Sequence, residues 1–375
     1  MKNIKIKRVK SKSDLSKFIS FPNKLYKGNK YRVPQLDMYE KKSLDHKKNP
    51  AFEFCEAKYW LAYKENEIVG RIAGIINHKS NEIWKEKNLR FGWIDFIDDI
   101  NVSSALIKTV EDWARQKGMT AVHGPLGFSD MDLEGMLVEG FDEMATQATI
   151  YNYPYYPVHL EKLGYVKDVD WVQLEVKIPK QVPDKIKRIS KLVQEKYGLN
   201  LLTVKSAKEI RPYTKSMFTT LNDSFKDLYG FVPLTDKQIE DYTEQYFSMV
   251  NPKYIGFVVD KNEKVVAFGI GFLSLSKALM KAKGKLFPFG FIHLLKAMRK
   301  NDTLDLLLHS VRPEYQGKGV PAIFYENMTQ ACIDTGVHTA ITSYIIEDNK
   351  PSLQMFNPYE TRQHLRRRAY IKKSI

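Results

Sequence analysis

RPEYQGKGVPAIFY, residues 312–325, lies between an apolar run, LDLLLHSV (304–311), and a segment of helical spacing that stops at Gly336. The layout reads as strand, glycine turn, helix. Gly317 and Gly319 allow backbone to approach a ligand closely, where a side chain would intrude. The N–H groups of Gly317, Lys318, Gly319 and Val320 can then converge on an anion, and the helix dipole favours negative charge at that end. Lys318 adds a point charge at the rim. Pro321 has no N–H to offer but suits the first turn of a helix, so its cost is one charge-assisted hydrogen bond, ~1.5 to 3 kcal/mol.

Outward from this stretch, one order of elements occurs twice. YWLAYKENEIVGRIAGIIN (59–77) alternates apolar residues around Asn66 and Glu67, as a hairpin does, and YIGFVVDKNEKVVAFGIGFLS (254–274) repeats this around Asn262 and Glu263. A helical segment ending at Gly118 answers the one ending at Gly336. Asn152 and Asn349 each precede a further helix. The second copy carries additional sequence at 277–300 and the first an additional loop at 124–143. Two copies of one α+β domain are therefore expected, 1–180 and 181–375, joined near Pro179 and Pro183 by a charged helix over 184–198.

The chain has 375 residues, 43% of them apolar, enough for two cores. No stretch reaches the roughly 18 apolar residues of a membrane span, and the basic start is followed by no apolar segment, so a cytoplasmic location is expected. Cys55 and Cys332 form no motif and read as core residues. Net charge is +15, which points to acidic partners. Residues 277–300 hold seven Lys or Arg and no acid, and Arg366, Arg367 and Arg368 form a second basic cluster. The alternation in 277–300 suits an anionic lipid surface, but the favoured reading packs LFPFGFIHLL on the protein and leaves the lysines solvated. No aromatic RNA-binding motif accompanies the charge, which argues against nucleic acid.

Gln316, Gly317, Lys318 and Gly319, after a strand and before a helix, resemble the Q/R-x-x-G-x-G/A motif of the GNAT superfamily of acyl-CoA-dependent N-acyltransferases; Pro321 stands where the family has glycine or alanine. IIEDNKPSLQMF and NYPYYPVHLEKLGY are similar to the family's later strand and helix. With RVPQL near the start and GP...GFD in the first half, the chain looks like a bacterial group of tandem GNAT-like proteins. The resemblance implies two domains, each with a mixed, mostly antiparallel sheet flanked by helices. It also implies acetyl-CoA or another acyl-CoA as co-substrate and a small-molecule or peptide amine as acceptor. The pantetheine arm would pair with the backbone of Leu308, His309, Ser310 and Val311, and the pyrophosphate would sit on Gln316, Gly317, Lys318, Gly319 and Val320, with Asn349 in the later motif.

The resemblance further implies a mechanism in which the amine would attack the thioester directly, with positioning supplying much of the rate, ~7 to 11 kcal/mol. In the family a carboxylate takes the amine proton and a tyrosine often serves the leaving thiolate. Glu347 and Asp348, at a strand end, are the base candidates. Phe356 stands where the family has its tyrosine, which leaves Tyr359 as the acid candidate if the helix passes Pro358. Asp223 in NDSF is a candidate for acceptor contact, and His309 reads as a core or cleft histidine. In the first half, Asp98 and Asp99 occupy the phosphate-loop position and would repel pyrophosphate. That domain is therefore expected to bind no CoA in the usual way. Its loop, with Asp130, Asp132, Glu134, Glu139 and Asp142, reads as a lid or a contact for a cationic acceptor; no spacing suggests a metal site. Beside an N-acyltransferase stand two alternatives, a non-catalytic GNAT-like scaffold and an anionic-surface binding protein.

Overall fold

The computed structural model describes residues 4–247 and 249–375. From the start of the chain come β1 (Lys5–Arg8), α1 (Lys12–Leu25), α2 (Asp37–Ser43), β2 (Cys55–Lys64), β3 (Glu67–Asn77), α3 (His78–Trp84) and β4 (Asn88–Phe96). Then follow α4 (Ile100–Gln116), β5 (Ala121–Gly124), β6 (Met136–Glu139), α5 (Tyr155–Lys162) and β7 (Val166–Lys177). The later part holds α6 (Asp184–Tyr197), β8 (Asn200–Leu202), α7 (Ala207–Ile210), α8 (Thr214–Phe225), α9 (Asp236–Phe247), β9 (Ile255–Val259) and β10 (Val265–Leu273). It ends with α10 (Ser276–Ala282), α11 (Gly290–Arg299), β11 (Thr303–Val311), α12 (Pro321–Thr335), β12 (Thr339–Thr342), β13 (Ile345–Ile346), α13 (Lys350–Gln354) and β14 (Glu360–Lys373).

Both hairpins form where the alternation indicates. β2 and β3 pair across Glu65 and Asn66, each with positive φ (50° and 66°), the mirror-image turn whose twist suits antiparallel strands. β9 and β10 pair likewise. Both helices stop at glycines in the left-handed region, Gly118 after α4 and Gly336 after α12. In α4, Val102, Leu106, Val110 and Trp113 recur at helical spacing and are all buried, which fixes the face laid on the sheet.

Against a single boundary expected at residue 180, the chain crosses between two compact units several times. One unit is the chain up to Trp171 with Ser276–Leu294 and Leu365–Ile375; the other is Val172–Leu275 with Leu295–His364. Within the first unit, β1, β2, β3, β4 and β5 lie in order, β14 pairs antiparallel with β5 from Tyr370 to Lys373, and β6 pairs with β14. Within the second, β7 from Glu175 to Lys177 pairs with β12, followed by β11, β10, β9 and β8. The core of the second unit gathers Val258, Val266, Phe324 and Met328; that of the first gathers Phe18, Leu61, Ile75 and Phe128.

Two expectations about charge change here. LFPFGFIHLL does not pack on the protein as a whole: Gly290 and Leu294 are buried, but Phe287 is 79% and Phe289 69% exposed, with Phe291, Ile292 and Leu295 also exposed. Conversely, the tail arginines are not a surface patch. Arg366 and Arg368 both reach the buried Asp170, at 3.1 and 2.7 Å, and Arg367 is buried with a guanidinium N–H donating to the Ile150 carbonyl.

Candidate functional site

The second unit opens along β11. This strand pairs in parallel with β12 from Thr303/Thr339 to Leu306/Thr342, where the register ends. The chain then leaves β12, the Ser343 N–H donating to the Leu306 carbonyl at 2.6 Å. Residues 307–311 remain against β10 on one side, so among the described residues their other edge has no partner strand. A free edge of N–H and C=O groups is a template for an extended, amide-bearing ligand.

A bulge sets which way the side chains of this edge point. The register with β10 slips between Ile270 and Gly271, leaving Leu307 as the extra residue. Leu306 packs in the core with residues of α12, and His309, three residues on, faces Tyr325 of the same helix at 3.5 Å. Strict alternation would send those two to opposite faces. Ser310 points the other way, donating to the Thr220 carbonyl at 3.2 Å and meeting the Ser224 hydroxyl. Burial pushes His309 down to about 4, so its imidazole is neutral at pH 7.

Beyond β11 the chain turns through Gln316, Gly317, Lys318 and Gly319 into α12, with Pro321 as its first residue. Gly317 and Gly319 have φ of 71° and 79°. The N–H groups of Gly317, Lys318, Gly319 and Val320 donate to no acceptor among the described residues. Gly319 also faces α6, where an added Cβ would lie 2.9 Å from Ile189 Cγ2. The Gln316 amide donates to the Val311 carbonyl at 3.1 Å and ties the loop to the strand. Lys318 holds its ammonium over the rings of Tyr197 and Tyr315, 5.1 and 5.7 Å from their centroids, which keeps the charge beside the loop.

Asp305 is the group the sequence reading missed. It sits one residue before the fork of β11 and β12, paired with Phe272 and Ile341 and only 2% exposed. Neither carboxylate oxygen has a hydrogen-bond partner among the described residues. Burial pushes its pKa up to about 7, with the nearby Ser274 hydroxyl opposing. The signal was present: TLDLLLHSV places one acid inside a strand otherwise apolar enough to be buried on both faces.

The other candidates fall in different places. Asp223 receives the Arg312 guanidinium at 3.1 Å, at the loop end of β11, and Arg312 also holds Glu314 at 2.8 Å. Glu347 and Asp348 follow β13; Asp348 is exposed, and its carbonyl accepts the Lys350 N–H. Asn349 caps α13, its side-chain oxygen accepting the Ser352 N–H at 3.3 Å. That helix ends at Gln354, short of Pro358. Tyr359 instead places its hydroxyl 2.9 Å from that of Thr329 on α12, and Phe356 is buried against the ring of Tyr325 at 5.6 Å. The buried thiols of Cys55 and Cys332 are each pushed up to about 12, which makes them poor nucleophiles.

The first unit closes the equivalent gap with its own chain. Parallel pairing of β4 with β5 stops at Arg90/His123, and the Leu126 N–H then donates to the Phe91 carbonyl at 2.8 Å. The fit depends on glycine: a Cβ on Gly92 would lie 2.4 Å from the Leu126 oxygen, and one on Gly124 2.2 Å from the Phe91 oxygen. At the entrance to α4, Asp99 caps the helix through the Asn101 N–H and receives Lys64 at 2.6 Å, while Asp98 lies 3.1 Å from His159. In the 124–143 loop, Asp132 accepts the N–H groups of Phe128 and Ser129, and burial raises it to about 6. Glu139 of β6 pairs with Arg366 of β14. Arg32, Val33 and Gln35 of RVPQL, with Pro125, Arg71 and Tyr156, line a cavity within this unit. Arg71 is held by Asp95 at 2.8 Å and lies 3.8 Å from Glu40, which accepts the Trp93 indole N–H at 2.8 Å, and Arg32 donates to the Asn23 side-chain oxygen at 2.9 Å.

These strands, loops and helices are the GNAT fold, present twice along one chain. A tandem GNAT protein from the clavulanic acid biosynthesis pathway matches over 100% of this chain and 99% of its own, with a TM-score of 0.58 at 10% identity. A probable N-acyltransferase from Enterococcus faecalis matches over 100% of this chain and 73% of its own, with a TM-score of 0.53 at 9% identity. Among curated proteins, YghO of Escherichia coli is 27% identical over 372 residues, 96% of this chain and 93% of that protein. The bacterial ceramide synthase of Caulobacter vibrioides is 26% identical over 353 residues, 91% and 90% of the two chains. No family model matches the sequence.

Proposed function

We propose that the protein is an acyl-CoA-dependent N-acyltransferase whose one donor site lies in the second unit. What carries the reading is a coincidence on a single strand: β11 holds the unpartnered edge, leads into the glycine loop, and buries an unpaired carboxylate at the fork. In this reading the edge at 307–311 pairs with the pantetheine amides, and the N–H groups of Gly317, Lys318, Gly319 and Val320 bind pyrophosphate with help from Lys318. The co-substrate supplies an activated thioester carbon. Asp305, rather than Glu347 or Asp348, takes the proton as the amine nitrogen forms the new C–N bond and the C–S bond breaks. A carboxylate near pKa 7 is a better base than an exposed one. Tyr325, packed on Phe356, brings a hydroxyl to the neighbourhood that Phe356 leaves without one, and it protonates the thiolate. Asp223 acts through Arg312 to hold the loop end of β11.

The likeness to a ceramide synthase supports a fatty acyl donor and a long-chain amino alcohol as acceptor, since ceramide is the amide of those two. A CoA-binding scaffold is the second reading, favoured by Phe356 and by the closed gap of the first unit. Mass spectrometry distinguishes them. Incubation with acetyl-, octanoyl- or palmitoyl-CoA and a panel of sphingoid and peptide amines is expected to yield an N-acylated amino alcohol together with free CoA. Bound CoA with no amide from any pair would sink the enzyme reading and leave the scaffold.

A further inference from the structure

The α10–α11 segment displays what a soluble surface ordinarily hides. Phe287 and Phe289 stand 79% and 69% exposed at its tip, and Phe291, Ile292 and Leu295 continue the face along α11 at 39%, 39% and 48%. The display is held in place. The Phe291 N–H donates to the Leu286 carbonyl at 2.9 Å, the Lys285 N–H to Ala282 at 3.0 Å, and the Gly284 carbonyl accepts the Asp37 N–H at 3.0 Å. Ser276, Ala278, Leu279, Gly290 and Leu294 are buried and anchor the inner side. Around the aromatic face, Lys277, Lys281, Lys283, Lys285, Lys296, Arg299 and Lys300 are all exposed, and 277–300 contains no acid.

We propose that this segment docks the protein on an anionic lipid bilayer, with Phe287 and Phe289 entering the headgroup–acyl boundary and the lysines meeting lipid phosphates. The composition selects the occupant. A protein partner buries aromatic residues in matched pockets and pairs most charges, whereas projecting phenylalanines flanked by seven cations within 277–300, of which Lys285 lies near the Asp37 carboxylate, suit a soft, negative, apolar medium. Anionic surface potential attracts the lysines first, and ring burial then slows release. The inference does not depend on acyl transfer: a chain that turned over no substrate would still dock.

Co-sedimentation of the full chain with vesicles tests it. Binding is expected to vesicles of phosphatidylcholine with phosphatidylglycerol, on the order of tenfold or more weaker to phosphatidylcholine alone, and to fall as salt rises. Phe287→Ser with Phe289→Ser should cut partitioning by about tenfold or more, because two rings leave the interface. Lys281→Ser, Lys283→Ser and Lys285→Ser together should cost roughly fivefold per charge and flatten the salt dependence. These positions are exposed, so an unchanged melting temperature checks that each variant folds. Equal pelleting of both variants with wild type would overturn the proposal, as would absence of anionic-vesicle binding at low salt. Sedimentation velocity without lipid is the other arm: a dimer abolished by the phenylalanine pair would overturn it in favour of a second copy as the occupant.

Discussion

A carboxylate whose burial outweighs the nearby Ser274 hydroxyl gives up its proton late, and Asp305 turns that into a pH signature. Its ordinary value of 3.8 rises to about 7 in the fold, so between those values the folded state holds a proton that the unfolded chain has released. Stability therefore falls as pH rises from ~4 to ~7, by roughly 4 kcal/mol, and is flat above. His309 acts in the opposite sense. Its value is about 4 in the fold against 6.5, so its contribution is lost as pH falls from ~6.5 to ~4, roughly 3 kcal/mol. Chemical denaturation across this window reads each slope as a difference from wild type. Relative to wild type, the profile of Asp305→Asn should tilt upward with pH and that of His309→Gln downward; a wild-type-like profile in Asp305→Asn would contradict the buried carboxylate. If Asp305 is also the base, kcat/KM should climb through pH ~7, and Asp305→Asn should lose 10²- to 10⁴-fold together with that limb.

At the scale of elements, the two strand forks differ in whether the chain itself fills them. In the second unit the fork of β11 and β12 is open; in the first, Leu126 bonds Phe91 across it. The hairpins, the helix-ending glycines and the glycine turn at 316–320 were legible because each is local and has a turn or capping residue that few sequences mimic. Asp98 and Asp99 likewise marked a helix entrance without glycine in the first half, where Asp99 caps α4. What could not be read from local pattern was the filling of the first fork, because it depends on Gly92 and Gly124 meeting a segment some 30 residues away or just across the strand pair. The Leu307 bulge was equally silent, and without it His309 and Asp305 cannot be assigned to faces. The cross-strand pair of Arg71 on β3 with Asp95 on β4 belongs to this scale too. Both are 6% exposed, and Tyr26 donates to the same carboxylate at 2.8 Å. Arg71→Ala should destabilise the fold by ~3 to 5 kcal/mol, because it strands a buried anion. A melting temperature unchanged in Arg71→Ala would contradict that pairing.

For the whole molecule, one fold occurs twice along the chain, with the fork of β11 and β12 open and that of β4 and β5 filled by its own chain. Composition placed the chain among basic proteins, yet its tail cluster is spent inside: Arg366, Arg367 and Arg368 are engaged with Asp170 and with backbone. Exposed lysines are spread along the chain, but 277–300 is a run of them without an acid, and there the expected burial of the phenylalanines proved wrong for lack of any sequence cue to what the outer face would meet. The GNAT likeness was legible over the full length because element order survives where identity has fallen to about a tenth.

The central claim is one acyl-CoA site per chain, built on β11 and the loop at Gly317 and Gly319. Isothermal titration calorimetry with CoA measures it directly. The account predicts saturable binding with one CoA per chain and loss of that binding in Gly319→Glu, where a side chain meets Ile189 and a negative charge meets the pyrophosphate. Two sites per chain, no heat at millimolar CoA, or undiminished binding by Gly319→Glu would contradict it.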